Sequence, residues 1–282
     1  MIFDKNLVQK LTDKAAALRR NVVISIGVDY PGHLGGSFSA ADVVAALYFH
    51  KMRHDPKNRY MPERDRFILS KGHIAILQYA ALAEAGYFPK EDLPFTKTLD
   101  SYLQGHPDLL KSGHAGIDAG TGSLGQGLSI GVGMALGLRM DELPSRVYVI
   151  LGDGELAEGQ VWEAAMSASA FKLNKLVAIV DKNDKQAQGK VQERFDLHPI
   201  AEKWAAFGWN VVEIDGHDME DILKGLYAAD DSDKPTVIIS STIKGKGLEM
   251  AENHPVGMHN APLTKEQYDN ALANFAGKGG NV

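Results

Sequence analysis

Two oxygen-bearing side chains in the middle of the chain have the spacing of a divalent-cation site. Asp153, in a Gly-Asp-Gly motif, directly follows the apolar run 147–151, and Asn183 follows a second apolar run at 176–180. Apolar, β-branched runs of this length are typical of strands buried on both faces. The carboxylate, the amide oxygen and the nearby backbone carbonyl of Lys185 are hard donors that leave Mg²⁺ or Ca²⁺ short of ligands, and diphosphate oxygens would complete the shell. The pattern therefore predicts a site for a metal-bound diphosphate.

The segment between these side chains determines where they lie. Residues 160–173 carry apolar side chains at helical spacing, so the region predicts a strand, a helix and a second strand. Strands joined by such a right-handed crossover are parallel. Asp153 and Asn183 then both follow the carboxyl end of a strand, where open α/β sheets bind ligands. A Gly-Asp-Gly motif alone is more often a plain turn, but the helix and the second strand favour a binding site.

Four of the ten histidines stand in glycine- or proline-containing segments beside predicted element ends: His33 (GHLGG), His73 (KGHIA), His106 (GHPD) and His259 (MHNAP). One such histidine is more often a structural hydrogen-bonding group, but loops at one edge of a sheet converge on one cleft. Imidazole can transfer protons near neutral pH. We therefore expect at least three of the four to line the site. Structural roles are assigned to His50, His54, His114, His198, His217 and His254.

A third candidate segment, Gly122-Ser123-Leu124-Gly125-Gln126-Gly127, lies in the glycine-rich stretch from Gly120 to Gly133, which continues as a predicted helix to about Arg139. The free amides and the positive dipole end at the start of a helix suit an anion or a flat polar ring. The glycines do not have the GxGxxG order, so they do not predict a dinucleotide site.

These segments are expected to belong to one sheet. Strand-like apolar runs alternate with helical periodicity along the chain, and no composition shift or internal repeat divides it. Strands are predicted at residues 66–70, 147–151, 176–180, 209–214 and 236–241. The fold class is therefore α/β, a single doubly wound, mainly parallel sheet with helices on both faces, in one domain over residues 1–282. The glycine-rich end at 277–282 is expected to be frayed.

One glycine-rich segment is predicted to be a loop. Pro31–Ser39 reads as a loop that leads into a helix from Ala40 to His50. Ser39, with Asp42 three residues later, has the pattern of a variant capping box.

The composition excludes several classes of function. A net charge of −6, with lysine and arginine scattered along the chain, argues against nucleic acid or an anionic membrane surface as a partner. The absence of cysteine excludes disulfides and thiolate metal sites, and is consistent with a cytoplasmic protein. The first residues carry charges where a signal peptide has its apolar core, and no apolar run approaches the ~18 residues of a membrane span.

The motifs together resemble the amino-terminal half of transketolase, in the split form whose halves are separate subunits. The resemblance covers about residues 5 to 275 and rests on segments that occur in this order: DYPGHLGGSFSAADVVAALY, DRFILSKGHIAILQYAALAEAG, QGHPD, TGSLGQGLSIGVGMALG, GDGELAEGQVWEAA, FGWNVVEIDGHD and MHNAPL. It implies the diphosphate-binding fold of thiamine-diphosphate enzymes.

The resemblance also implies roles for single residues. Asp153, Asn183 and the Lys185 carbonyl match the ligands of Mg²⁺, for which Ca²⁺ or Mn²⁺ can substitute. His106 matches the group that binds the first hydroxyl of the donor ketose, and His33 and His259 match groups that stabilise oxyanions and transfer protons. Contacts with thiamine diphosphate are implied for Gly122, Ser123, Leu124, Gly154, Glu158, Asn183, His73 and His259. Glu158, with Glu163, also matches acidic residues that meet across the subunit interface.

The implied reaction moves a two-carbon ketol unit from a ketose to an aldose, with the fragment held on the cofactor as an enamine. Transketolases also need a pyrimidine-binding domain, which supplies the glutamate that activates the cofactor and the arginines that bind sugar phosphates. The chain has no room for it. We therefore expect activity only with a second, C-terminal subunit, in a heterotetramer of two such pairs acting on sugar substrates.

Some residues depart from the family pattern. Asp184, Lys185 and Gln186 replace the usual glycine and apolar residue after Asn183, and His114 is unusual. The sequence therefore leaves the native sugar open. Two alternatives also remain: an α subunit of a thiamine-dependent 2-oxo-acid dehydrogenase, which would not need the GHLGG, GHPD and MHNAP histidines together, and a non-catalytic paralogue, which would not need the metal ligands.

Overall fold

Five parallel strands form the central sheet of the computed structural model, which describes residues 2–276. They are β1 (Arg66–Leu69), β2 (Val147–Gly152), β3 (Leu176–Lys182), β6 (Asn210–Asp215) and β7 (Thr236–Ser241). Their order is β1-β2-β3-β7-β6, and every neighbouring pair is parallel. The predicted parallel sheet is confirmed, and the strand ends differ from the predicted ones by at most two residues. An antiparallel hairpin of β4 (Lys185–Gln186) and β5 (Gly189–Lys190) follows β3 and was not predicted.

Helices connect the strands and cover the sheet. They are α1 (Lys5–Ile26), α2 (Leu34–Ala46), α3 (Ala75–Ala85), α4 (Leu109–Ser112), α5 (Gln126–Met140), α6 (Gly159–Ala170), α7 (Val191–Arg194), α8 (Ile200–Ala206), α9 (Met219–Ala228), α10 (Glu249–Glu252) and α11 (Lys265–Asn274). No helix within residues 2–276 is both long enough and apolar enough to cross a lipid bilayer. The predicted frayed end at 277–282 lies outside the described residues.

Each face of the sheet packs against its own set of helices. Tyr148 and Ile179 point to one face, into an apolar cluster built with α1, α2, α3 and α9. Val149 and Ala178 point to the opposite face, into a second cluster built with α5, α6 and α8. Because successive strand residues alternate between faces, both faces of these strands are apolar. This arrangement confirms the predicted doubly wound fold and leaves the carboxyl edge of the sheet free for the site.

The segment after Pro31 differs from the prediction. Helix α2 begins at Leu34, not at Ala40, so its glycines lie in its first turns and not in a loop. A Cβ atom on Gly35 would lie 1.7 Å from the carbonyl oxygen of Gly257. Glycine is therefore required there for close backbone contact rather than for a turn, a reason that the local sequence does not reveal.

The predicted capping box at Ser39 and Asp42 is also wrong, because both residues lie inside α2. The Ser39 hydroxyl donates a hydrogen bond to Asp181 at the end of β3. The Asp42 carboxylate forms a buried ion pair with Arg19 of α1. These polar side chains therefore connect α2 to its neighbours instead of beginning a helix.

Candidate functional site

The Asp153 carboxylate organises the loop that follows β3. Only 3% of this residue is exposed. Its Oδ2 atom accepts hydrogen bonds from the backbone N–H groups of Asn183, at 2.9 Å, and Asp184, and its Oδ1 atom accepts from the N–H of Gly154 at 2.7 Å. Burial, followed by the nearby Asp181 carboxylate, raises the pKa of Asp153 to about 6. A bound cation would stabilise the charged form.

The Asn183 side chain is oriented by Asp181. The Nδ2 amide group of Asn183 donates to Oδ2 of Asp181 at 3.1 Å, and Oδ1 accepts from the N–H of Lys185 at 3.2 Å. Asp181 forms a buried ion pair with Lys71 and accepts a further hydrogen bond from Thr242. Burial alone would raise the pKa of Asp181, but the Lys71 ammonium holds it below its usual value. The Asn183 amide is thus fixed with its oxygen directed towards the start of the hairpin.

Two buried lysines lie beside these oxygen donors, and sequence reasoning missed both. Lys71 follows β1 and is bound to Asp181. Lys244 follows β7, and its Nζ donates to the backbone carbonyl of Lys185 at 2.9 Å and contacts Nδ1 of His259 at 3.0 Å. Burial, then the charge of Lys71, lowers the pKa of Lys244 to about 8. The local sequence around each lysine carries no such signal, because tertiary folding brings them here.

A cavity of about 300 Å³ joins these groups. It is lined by Gly36, Lys71, His73, Gly122, Leu124, Gly152, Asp153, Gly154, Glu155, Asn183, Gln186, Ala187, Lys244 and His259. Within residues 2–276 no group of three or more histidine, cysteine, aspartate or glutamate side chains could hold a metal ion. One carboxylate, one amide and one carbonyl are instead the partial shell that Mg²⁺ takes when phosphate oxygens complete it. The donors and the lysines therefore suit a metal-bound diphosphate.

Three of the four predicted histidines form a triangle at this cavity. The ring centroids of His33 and His73 are 5.0 Å apart, those of His33 and His259 are 5.3 Å apart, and those of His73 and His259 are 5.2 Å apart. Burial, then neighbouring rings and lysines, lowers the pKa to about 3 for His33, about 2 for His73 and about 4 for His259. All three are therefore neutral at pH 7.

The hydrogen bonds of two histidines define their roles further. The Lys244 ammonium can only donate hydrogen bonds, so Nδ1 of His259 must accept this one. The proton of the neutral His259 ring therefore lies on Nε2. The Nδ1 atom of His33 is buried and has no hydrogen-bond partner among the described residues. His259 thus presents a protonated Nε2, whereas the unpartnered Nδ1 of His33 is enclosed by the protein.

His106 lies apart from the triangle, on the other side of Gly122. A Cβ atom on Gly122 would lie 3.0 Å from Cδ2 of His106. His106 and Ser123 line an adjacent open cleft of about 630 Å³. Burial, followed by the charge of Lys97, lowers the pKa of His106. Lys97 lies near the edge of this cleft: its Cε atom would be 3.6 Å from a Cβ atom on Gly105, and its Nζ donates to the carbonyl of Pro31 at 3.1 Å.

Glu155 is a site residue whose role the sequence did not indicate. It is 3% exposed, and its Oε1 atom accepts from Ser70 and from the N–H of Gly125 at 2.8 Å. Its Oε2 atom accepts from the N–H of Gly152 at 3.0 Å. The carboxylate therefore connects the loop after β1, the start of α5 and the end of β2. By contrast, Glu158 is exposed at the start of α6.

The model of the family described as "Transketolase, thiamine diphosphate binding domain" matches residues 11–277. The chain therefore belongs to the transketolase family, and the predicted resemblance is confirmed. It is 45% identical over 270 residues to the 6-deoxy-6-sulfo-D-fructose transketolase subunit SqwG of Clostridium sp. (strain MSTE9), covering 95% of this chain and 97% of the relative. It is 41% identical over 242 residues to one of the subunits of the apulose-4-phosphate transketolase of Phocaeicola vulgatus, covering 86% of this chain and 85% of that one.

Full-length transketolases match over less than half their length. The human enzyme is 39% identical over 272 residues, which cover 95% of this chain and 42% of that protein. The crystal structure of transketolase from Campylobacter jejuni matches with a TM-score of 0.85 and 30% identity, over 97% of this chain and 43% of that one. Within the family, this chain is an N-terminal transketolase fragment of the kind found in separately encoded subunits. A transferase of the transketolase type is thus supported over the 2-oxo-acid dehydrogenase and the non-catalytic paralogue.

Proposed function

We propose that this chain holds thiamine diphosphate through Mg²⁺ and, with a pyrimidine-binding partner subunit, transfers a two-carbon ketol unit from a ketose to an aldose. The observation that carries the proposal is the meeting of one carboxylate, one amide, two buried lysines and two neutral histidines around a single cavity. The Lys185 carbonyl and the His33 ring lie against these groups. When bound, thiamine diphosphate supplies the carbon nucleophile that breaks and forms carbon–carbon bonds. The protein then has to bind and orient the cofactor and the sugars, and to transfer protons.

The metal would be bound by Asp153, the Asn183 amide oxygen and the Lys185 carbonyl, with Ca²⁺ or Mn²⁺ able to replace Mg²⁺. The three groups are already connected, since Asp153 binds the N–H of Asn183 and Asn183 binds the N–H of Lys185. The absence of a side chain at Gly154 lets a phosphate oxygen approach the backbone. The organised loop lowers the entropy lost on binding.

The lysines would neutralise the diphosphate. An ammonium group has three donors, and Lys244 uses two of its own in the contacts with Lys185 and His259. The third is available to a phosphate oxygen. Lys71 is bound to Asp181, so it contributes charge at short range while fixing the residue that orients Asn183.

The histidines would bind the sugar substrate and transfer protons to and from it. His33 and His259 are neutral at pH 7, so His33 can accept a proton at its unprotonated ring nitrogen, whereas His259, whose Nδ1 is bound to Lys244, can donate a hydrogen bond from Nε2. His73 lines the cavity beside the proposed diphosphate position. His106 lies in the open cleft next to Gly122 and Ser123, where it would bind the first hydroxyl of the donor.

The partner subunit would close the open side of this site. Ser123 and Leu124 are exposed beside the cavity, as is Glu158, so one side of the proposed cofactor position is open. The names of the relatives as subunits imply a second chain, and we propose a heterotetramer of two such pairs. Glu158 and Glu163, both exposed at the start of α6, would lie in an interface of that assembly. A cytoplasmic location is part of the proposal and is supported by the cysteine-free composition.

The substrate proposal is a ketose with an anionic group. The two relatives are named for a sulfonated ketose and a phosphorylated ketose. Lys97, at the cleft that contains His106, brings a positive charge to the same region and forms no ion pair with a described carboxylate. The assay therefore needs both anionic and neutral ketose donors.

The deciding experiment is a ketol-transfer assay with Mg²⁺ and thiamine diphosphate. The purified chain is tested alone and mixed with the product of the neighbouring gene, and light scattering gives the mass of the complex. We expect turnover only in the mixture, with a mass of two pairs. Full turnover by this chain in isolation would overturn the half-enzyme proposal, and a mixture that binds the cofactor but transfers no ketol unit would overturn the proposed reaction.

A further inference from the structure

Lys185 contributes more to the site than its backbone carbonyl. The family pattern has an apolar residue near this position, and any residue could supply the carbonyl oxygen. In this structure the Lys185 side chain is half-buried, and its Nζ donates to the carbonyl of Glu252 at 3.1 Å and to that of His254 at 3.3 Å. The Glu252 carbonyl ends the short helix α10, where backbone acceptors have no intrahelical partner. The His254 carbonyl, two residues further on, also accepts from the N–H of Gly257 at 2.9 Å.

The segment held in this way, residues 249–259, ends at His259. The other contacts of this region lie before and after the Lys185 contacts: the N–H of Gly245 donates to the carbonyl of Gly35 at 3.0 Å, and the N–H of Gly35 donates to the carbonyl of Met258 at 3.3 Å. The Lys185 side chain therefore adds a polar contact in the middle of a segment whose ends are held by α2 and whose Ala251 is buried in the apolar core.

Lys185 is also linked to His259 indirectly, through the side chain of Lys244. Its carbonyl accepts from Nζ of Lys244, and the same Nζ contacts Nδ1 of His259. Lys185 thus connects the loop after β3 to His259 through its carbonyl, and to residues 249–259 through its side chain. The Lys185 carbonyl could bind the metal without the contacts that its side chain makes. Those side-chain contacts therefore need a separate explanation.

We propose that Lys185 is a positioning residue whose side chain fixes segment 249–259 against the loop after β3 and thereby holds His259 in the histidine triangle. Positioning through a partly buried contact with the backbone affects the geometry of proton transfer without changing the metal ligands. The effect on turnover rests on the proposed function, whereas the structural effect does not.

The first test is hydrogen exchange of the purified chain without cofactor. In Lys185→Met, which keeps the carbonyl and the length of the side chain, amides in peptides covering 249–259 are expected to exchange about tenfold faster. Lys185→Arg, which keeps the donors, is expected to restore protection. Lys190→Met in β5 is the matched control, because Lys190 is exposed and its ammonium pairs with Glu193. Unchanged exchange in Lys185→Met would overturn the proposal.

The second test uses the reconstituted complex. Calorimetry with Mg²⁺ and thiamine diphosphate is expected to give affinities for Lys185→Met within about threefold of the wild type, while kcat falls about tenfold and the donor KM stays within about twofold. A loss of cofactor affinity as large as the loss of kcat would place the Lys185 side chain at the metal and overturn the positioning role. Failure of the wild type to bind the cofactor would overturn the proposed function and leave the exchange result standing.

A folding check keeps the two tests decisive. Circular dichroism at 25 °C compares Lys185→Met with the wild type. If the methionine variant is unfolded, Lys185→Gln, whose shorter polar chain cannot span the same distance, takes its place in both measurements. The same faster exchange is expected, and unchanged exchange in that variant contradicts the proposal equally.

Discussion

The carboxylate of Asp153 accepts a hydrogen bond from the backbone N–H of Asn183 at 2.9 Å, so the residue that follows β2 shapes the loop that follows β3. The two strands are neighbours in parallel register, with Gly152 opposite Asp181. The contact places two of the proposed metal ligands side by side before any cation binds. Their order in the sheet, rather than a local motif, creates this relationship.

Replacing either ligand should abolish metal-dependent cofactor binding. For Asp153→Asn, which keeps a hydrogen-bond acceptor, and for Asn183→Ala, we expect a loss of affinity for thiamine diphosphate of more than about a hundredfold, because a charged or oriented oxygen ligand is removed. Titration calorimetry with Mg²⁺ on the reconstituted complex measures it. Asp184→Asn is the control, since Asp184 pairs with Lys182 at the surface. Unchanged affinity in both ligand variants would refute the metal assignment.

His106→Ala should lower turnover much more than cofactor affinity. A hydrogen bond to the donor at the reacting end is worth about 2–4 kcal/mol of transition-state stabilisation if it acts like an oxyanion donor. Steady-state kinetics with ketose donors gives kcat, and calorimetry gives the cofactor affinity. His114→Ala is the control, because this exposed histidine packs against Tyr102. An equal loss of cofactor affinity would place His106 at the diphosphate instead.

The buried histidines should make the isolated chain sensitive to mild acid. The pKa of His73 is lowered from 6.5 to about 2, mainly by burial, so the unfolded chain binds a proton below pH 6.5 that the folded chain does not. The free energy of unfolding therefore falls as the pH decreases below 6.5. At pH 5 the loss due to His73 is about 2 kcal/mol.

Urea unfolding at pH 7.5 and pH 5.0 tests this prediction. The free energy lost between the two pH values should be smaller by about 2 kcal/mol in His73→Asn than in the wild type. His114→Asn, at an exposed position, should lose as much as the wild type. Equal losses in His73→Asn and the wild type would show that His73 is not buried in its neutral form.

Removing the charge of Lys97 should raise the pKa of His106. Burial is the main cause of the lowered pKa and the Lys97 ammonium is the second, so a neutral side chain at position 97 removes one of two effects that act in the same direction. Proton NMR titration of Lys97→Met measures the pKa directly. Lys111→Met, an exposed lysine in α4, should leave it unchanged. An unaltered His106 titration in Lys97→Met would mean that the ammonium lies elsewhere in solution.

The parallel sheet and the closeness of Asp153 to Asn183 could be predicted because they follow from local patterns. The apolar runs that precede Asp153 and Asn183 identify two strands, and the helix between them fixes their direction. The role of Gly35 could not be predicted in the same way, since it depends on the carbonyl of Gly257, which is distant in sequence. For the same reason Lys71 and Lys244 were missed: each has an ordinary local sequence and acquires its environment only through tertiary contacts.

The structure brings three of the four predicted histidines together and leaves the fourth apart. His33, His73 and His259 do converge, because each lies beside an element that ends near the carboxyl edge of the sheet. The separate position of His106 depends on the path of residues 87–117, where neither helical nor strand periodicity is present. A segment without periodicity gives no orientation for the side chain that it carries.

The strand order has a consequence for folding during translation. Within residues 2–276, strand β6 pairs only with β7, and β7 pairs with β3, so β6 joins the sheet only after Thr236–Ser241 has been synthesised. His259 follows later still. On the ribosome, a growing chain would therefore carry Asp153 and Asn183 long before it could form the complete cavity. The complete cavity can therefore form only after the segment that carries His259 has left the ribosome, and parallel pairing between segments distant in sequence is slower than pairing between neighbouring ones.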